Sequence, residues 1–167
     1  MTRNFEVNIE RILVRHTYRV LMAKSNARVV FDVDIEVPLS PQEAWNRLND
    51  WPSHGKWIPL TRVEVDRSDP ARFIAWSGIR PLVLEDRMHQ LTAQFDGQTG
   101  DSTVAKLGPI LVGEARFAVK PGPTPSSCIV SWREDVAVKW LPRFLTAPVA
   151  FAAKQAFASS IKKMAKY

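Results

Sequence analysis

The chain has 167 residues, of which 46% are hydrophobic and 24% charged, so it can bury the core of one ordinary domain. This composition excludes a disordered chain, a collagen-like fibre and a disulfide-stapled miniprotein. The single cysteine, Cys128, excludes an intrachain disulfide and a zinc site built from a cysteine pair, and we expect a reducing compartment.

The net charge of +6, from 23 Lys and Arg against 17 Asp and Glu, is concentrated at the two ends of the chain. Six basic residues against two acids lie in residues 1–28, and six against none lie in residues 139–167. A nucleic-acid-binding domain spreads its basic residues over a reading face, with exposed aromatic side chains between them. We therefore expect no nucleic-acid partner.

The first predicted elements are a strand and two short helices. Residues 29–37 alternate apolar and acidic side chains, which predicts a half-buried strand. Ser40 is a good N-cap and Pro41 suits the first helical position, so a helix is predicted over 41–49. Trp51-Pro52 ends that helix, and a second helical turn is predicted over 52–57.

Strands separated by turn residues follow Pro59, and their close succession implies antiparallel hairpins. They are predicted near residues 60–67, 72–78, 84–93, 102–108, 111–120 and 127–138. From Pro142 the composition changes to Ala, Phe, Leu and Lys, which predicts one long helix over 142–166, with Pro148 in its first turns or at a kink. No apolar run reaches the roughly 18–20 residues that a membrane span needs.

Two segments, VPLSPQEAW at 37–45 and WPSHGKW at 51–57, resemble the opening of the SRPBCC superfamily of START-like helix-grip proteins. Later landmarks are similar to those of its bacterial members, often described as polyketide cyclase/dehydrase or lipid transport: RFIAWSG at 72–78, LEDRM at 84–88, GEARF at 113–117 and SWRE at 131–134. The resemblance covers residues 27–165. It implies an α+β fold, with a seven-stranded antiparallel sheet wrapped around the long C-terminal helix and enclosing an apolar cavity. It also implies a bacterial, cytoplasmic protein.

The resemblance divides the chain into an N-terminal extension, residues 1–26, and a single START-like domain, residues 27–167. Family members normally begin a few residues before the first strand, and Met22 resembles such a start. Residues 1–21 are then either a genuine basic arm or an extension of the gene beyond its native start.

Two acids are expected to face the interior. Glu134 shares its strand parity with Trp132 and Val136, and Asp86 shares its parity with Met88. A buried carboxylate needs a partner or a raised pKa, so both are candidates for acid–base catalysis. The alternative is that one or both lie near a strand end, solvated or paired with a neighbouring arginine.

His54 is the third catalytic candidate, because a histidine at the expected mouth of the cavity could act as a general base. The alternative, which the loop position favours, is a solvated histidine. His89 is expected to face outward, and Cys128 to be a small buried residue rather than a nucleophile. No pair of histidines has metal-ligand spacing, and we expect neither a metal nor a cofactor.

Aromatic and apolar side chains on the predicted strands and helix are the candidates for a ligand-binding wall. They are Trp57, Phe73, Met88, Leu107, Phe117, Trp132, Phe144, Phe151 and Phe157. The alternative is that they fill an ordinary core, and only the family resemblance favours a cavity.

These features favour a protein that binds a hydrophobic small molecule or lipid without covalent chemistry. The alternative is a cyclase/dehydrase-type enzyme that acts on a polyketide-like or aromatic ligand by acid–base catalysis. The lysines of the C-terminal helix are explained by solvation and by the helix dipole, and weak peripheral contact with an anionic membrane is a further alternative.

Overall fold

The structure, a computed structural model, describes residues 27–167, so the predicted extension at 1–26 lies outside the described residues. The strands are β1 (Arg28–Val37), β2 (Thr61–Val65), β3 (Arg72–Ile79), β4 (Leu82–Phe95), β5 (Gly100–Pro109), β6 (Leu111–Pro121) and β7 (Cys128–Val138). The α-helices are α1 (Pro41–Asn49), α2 (His54–Trp57) and α3 (Thr146–Met164), and 3₁₀ turns cover Trp51–Ser53 and Arg143–Leu145.

The strands form one antiparallel sheet in the order β1-β7-β6-β5-β4-β3-β2. Strands β2 to β7 follow one another as a meander, whereas β1 pairs with β7, the last strand of the chain. This arrangement with a long C-terminal helix confirms the predicted α+β helix-grip fold.

The helix α1 begins where the sequence predicts it because Ser40 and Glu43 cap it reciprocally. The Ser40 hydroxyl accepts the N–H of Glu43 at 3.3 Å, and the Ser40 N–H donates to the Glu43 carboxylate at 3.0 Å. Ala44 and Leu48, on the inner side of this helix, are fully buried. The helix therefore closes one part of the core against the sheet.

The long helix α3 begins at Thr146 rather than at Pro142, because Pro142 has an extended backbone and a 3₁₀ turn follows it. Pro148 lies in the first turn, where a missing N–H costs no intrahelical hydrogen bond. Ile161 and Met164 are fully buried at the other end of α3 and belong to the same core as Val29 of β1. Among residues 27–167, no helix is long and apolar enough to cross a membrane.

Candidate functional site

A cavity of about 290 Å³ lies between the sheet and α3. Its wall is mostly apolar and includes Val29, Phe31, Phe73, Met88, Val104, Leu111, Trp132, Val136, Val149, Ala153 and Phe157. The alternation of the strands places these side chains on one face of the sheet, because successive residues point to opposite faces. The volume is at the lower end of the roughly 300–1,000 Å³ of small-molecule sites.

Stacked aromatic rings support part of this wall. The Trp132 ring packs parallel to Phe117 with 5.3 Å between centroids, and its other neighbour is Phe157 of α3 at 5.2 Å. Trp51 stacks on Phe73 at 4.1 Å. Aromatic pairs at these distances add to the stability gained from burial alone, so the wall is held in a defined shape.

Three charged residues from three strands meet in the cavity wall: Asp86 of β4, Lys106 of β5 and Glu134 of β7. Lys106 Nζ lies 2.5 Å from Asp86 Oδ2 and 3.8 Å from Glu134 Oε1. All three residues are buried, with Asp86 5% and Glu134 3% exposed. Buried charges are tolerated when they are paired, so Lys106 stabilises both carboxyl groups at once.

Burial shifts the protonation of this cluster. Removal from water raises the pKa of Glu134 to about 7, although Lys106 acts in the opposite direction. Burial by itself lowers the pKa of Lys106, but the two carboxyl groups outweigh it and raise that pKa above its ordinary value. The Trp132 Nε1–H donates to Glu134 Oε1 at 3.1 Å and fixes the orientation of the carboxyl group. Near neutral pH the cluster therefore holds a permanent cation and a carboxyl group that can give or take a proton.

Gly113 of β6 lies between Lys106 and Val136 in the register of the sheet. Its φ is +153°, and a Cβ atom built on it would clash with the backbone carbonyl oxygen of Asp135. No other residue fits this position without displacing the backbone of β7. The glycine therefore permits the close approach of β6 to the β7 backbone at the position paired with Lys106.

His54 is buried rather than solvated, which corrects the interpretation that its position between two short helices favours. It is the first residue of α2, its side chain packs between Trp51 and Trp57, and it lines the cavity. Its Nε2–H donates to the Leu48 carbonyl oxygen at 2.9 Å. Burial lowers the pKa of His54 to about 4, so the ring is neutral at pH 7 and is a weak base.

The predicted ligand-binding residues fall into three groups. Phe73, Met88, Trp132 and Phe157 line the cavity. Trp57 and Phe117 are buried in the core and do not reach the wall. Leu107, Phe144 and Phe151 are exposed, at 39%, 79% and 66%.

Each of the exposed three has a local reason. Leu107 follows Lys106 on β5 and therefore points to the opposite face of the sheet. Phe144 lies in the 3₁₀ turn before α3. Phe151 lies on the helix face opposite Val149, Ala153 and Phe157, which are the residues that α3 contributes to the cavity.

Lys106 is a charged residue of the cavity wall that was not among the predicted site residues. The parity of Ser102, Val104 and Lys106 within a predicted strand would have placed it inward. Lysines are almost never fully buried unless they are paired, so the residue type alone predicts an exposed side chain at position 106.

His89 lies on the face of the sheet away from the cavity, beside Arg87 and Leu107, as its parity predicts, and it is buried there at 5% exposure. Cys128 is buried as expected, and burial raises the pKa of its thiol to about 11, which suppresses its reactivity. Within residues 27–167, no group of three or more His, Cys, Asp and Glu side chains is placed to hold a metal ion.

Similar proteins agree with this architecture. Solved structures with the same fold include human STARD10 (TM-score 0.65, 15% identity, 83% of this chain and 64% of that chain) and a START superfamily protein from Mycobacterium smegmatis (0.64, 15%, 82% and 97%). The Zhui aromatase/cyclase from Streptomyces sp. R1128 matches with a TM-score of 0.58, 9% identity and coverage of 83% and 94%. Such identities establish the fold alone.

No curated protein matches the sequence. Residues 28–167, in contrast, match the family model described as polyketide cyclase / dehydrase and lipid transport. The match spans nearly all of the described residues, and it confirms the resemblance seen in the sequence. The chain therefore belongs to the polyketide cyclase / dehydrase and lipid transport family, within the START-like SRPBCC superfamily.

Proposed function

We propose that the protein binds a hydrophobic small molecule or lipid in the cavity between the sheet and α3. The observation that carries this proposal is the cavity of about 290 Å³ with a predominantly apolar wall. Transfer of an apolar ligand from water into such a site is favourable in proportion to the apolar area removed from water. The family and the fold both fit a hydrophobic ligand-binding domain.

The proposal is tested with N-phenyl-1-naphthylamine, a neutral probe whose fluorescence rises in an apolar site. We expect saturable binding to the wild-type protein. Ala153 lines the cavity, so Ala153→Leu fills part of it and is expected to weaken binding about tenfold. Ala152 is exposed on the same helix, and Ala152→Leu serves as the matched control.

Two results would contradict the proposal: no saturable binding to the wild-type protein, or equal weakening of binding by the two substitutions. Equal weakening would place the probe on the surface of α3 rather than in the cavity.

A second candidate function, cyclase/dehydrase-type catalysis, is favoured by the acidic groups in the cavity wall. A carboxyl group with a pKa of about 7, as at Glu134, can donate or accept a proton at neutral pH. Asp86 shares the wall with it, and exclusion of water by the apolar surroundings would direct a reactive intermediate. His54 contributes less, because its ring is neutral and engaged with a backbone carbonyl.

The test is turnover of a synthetic poly-β-keto thioester. General acid–base catalysis contributes about 10²–10⁴ in rate, so the double variant Asp86→Asn/Glu134→Gln should lose at least about a hundredfold. Binding of N-phenyl-1-naphthylamine by the same variant shows whether the cavity is intact. Unchanged turnover in the double variant would exclude these residues as catalysts.

A further inference from the structure

Asp86 is held by only one of its two carboxylate oxygens. Oδ2 accepts a hydrogen bond from Lys106 Nζ at 2.5 Å. Oδ1 is buried and has no hydrogen-bond partner. Among residues 27–167, every other fully buried side-chain nitrogen or oxygen has one. Since Asp86 also lines the cavity, a donor for Oδ1 has to come from within it.

Several other polar groups of the wall are paired within the protein, and Glu134 Oε1 accepts the N–H of Trp132. The hydroxyls of Thr61 and Ser77 lie 2.8 Å apart, and His54 donates to the carbonyl oxygen of Leu48. Asp86 Oδ1 is therefore the fully buried side-chain acceptor of the described wall that the protein leaves unpaired, and a ligand donor can satisfy it. A hydrogen bond to a charged acceptor is stronger than one between neutral groups.

The charge of the wall acts against an anionic ligand. Among the described residues that line the cavity, Lys106 is the permanent cation, and it lies between two carboxyl groups at 2.5 and 3.8 Å. Its remaining contact is with Met88 Sδ at 3.7 Å. A ligand carboxylate would meet Asp86 without an unpaired cation to offset the repulsion.

We infer that the ligand is a neutral hydroxyl-bearing hydrophobic molecule, an alcohol or a phenol, whose O–H donates to Asp86 Oδ1, and that the site discriminates against carboxylates such as fatty acids. This inference rests on the proposed binding function and specifies its ligand class. The apolar wall holds the hydrocarbon body, and Asp86 selects the end group.

The test uses three probes with the same naphthalene ring at pH 7: 2-naphthol, 2-methoxynaphthalene and 2-naphthoate. The first donates a hydrogen bond, the second only accepts one, and the third is an anion. Isothermal titration calorimetry on the wild-type protein is expected to show 2-naphthol binding at least about tenfold more tightly than 2-methoxynaphthalene, with 2-naphthoate the weakest.

The variant Asp86→Asn probes the acceptor directly. Lys106 is a donor, so the side-chain amide introduced by this substitution would turn its oxygen to Lys106 and its NH₂ group to the cavity. The preference for 2-naphthol over 2-methoxynaphthalene should then fall to about one. Glu85→Gln makes the same type of change at the adjacent, outward-facing position, where Glu85 pairs with Arg87, and should keep the wild-type preference.

The outcomes separate this inference from the proposed function. Equal binding of 2-naphthol and 2-methoxynaphthalene to the wild-type protein would mean that water satisfies Asp86 Oδ1, and would overturn the inference while the binding function stands. Binding of 2-naphthoate as tight as that of 2-naphthol, or a preference that survives Asp86→Asn, would also overturn it. Binding of none of the three would overturn both. Should Asp86→Asn not fold, the wild-type series decides by itself.

Discussion

Lys106 forms its ion pair with Asp86, at 2.5 Å, although the two residues are not opposite each other in the sheet. The residue of β5 opposite Asp86 is Pro109, and the residue of β4 opposite Lys106 is Met88. The register of the two strands shifts between these two pairs. Such an irregularity re-aims a side chain, and it places both charges in the same part of the cavity wall.

Replacement of Lys106 should therefore be costly. Lys106→Met removes the cation and leaves two buried carboxyl groups unpaired, which is expected to lower the free energy of unfolding by about 3–5 kcal/mol. Urea denaturation measures the loss. Lys120 is exposed on β6, and the control Lys120→Met should change stability by less than about 0.5 kcal/mol. Equal effects of the two substitutions would show that the buried pairing adds nothing to stability.

Glu134 should make the stability depend on pH near neutrality. Its pKa rises on folding from 4.5 to about 7, so the folded state binds the proton more tightly than the unfolded state. The resulting stabilisation is complete below about pH 4.5 and is lost as the pH rises through about 7. Glu134→Gln removes the titration. The free energy of unfolding of the variant minus that of the wild type should therefore increase between pH 5 and 8. The increase is at most about 1.4 kcal/mol per pH unit. A difference that stays constant over this range would contradict the assignment.

His54 should act in the opposite direction at lower pH. Its pKa falls on folding from 6.5 to about 4, so the unfolded state binds the proton more tightly. The corresponding stabilisation is present above about pH 6.5 and is lost as the pH falls through about 4.

The variant His54→Gln keeps a donor for the Leu48 carbonyl oxygen but does not titrate. We expect its free energy of unfolding to fall less than that of the wild type between pH 6.5 and 4, measured by urea denaturation at several pH values. Parallel curves for the two proteins would show that His54 is accessible to protons in the folded state.

Gly113→Ala should destabilise the sheet next to the charged cluster. The new Cβ would clash with the Asp135 carbonyl oxygen, so the substitution adds a backbone clash to the strain of a positive φ, at a total cost of about 2–4 kcal/mol. Gly97 also has a positive φ, but its Cβ would meet nothing within 4 Å, and Gly97→Ala should cost about 1 kcal/mol. Thermal unfolding of the two variants compares them, and equal losses would rule out the clash.

Strand alternation alone was enough to predict much of the site. The parity of residues 128–138 places Trp132 and Glu134 on the inner face, and that of residues 84–90 does the same for Asp86. The structure has both carboxyl groups in the cavity wall, because side chains alternate between the two faces along each regular stretch of strand. The order of the elements was predictable for a similar reason, since caps, prolines and turn residues act locally.

What the sequence determined by itself was therefore the order of the elements, the inner face of each regular strand and the family. Only the tertiary structure decided which residues meet. The pairing of Lys106 with Asp86 depends on a register shift between two strands, and the exposure of Phe151 depends on how α3 is rotated against the sheet. In a helix with apolar residues on every side, that rotation is set by packing against the sheet. Register and rotation are properties of contacts between distant segments, and no local pattern in the chain carries them.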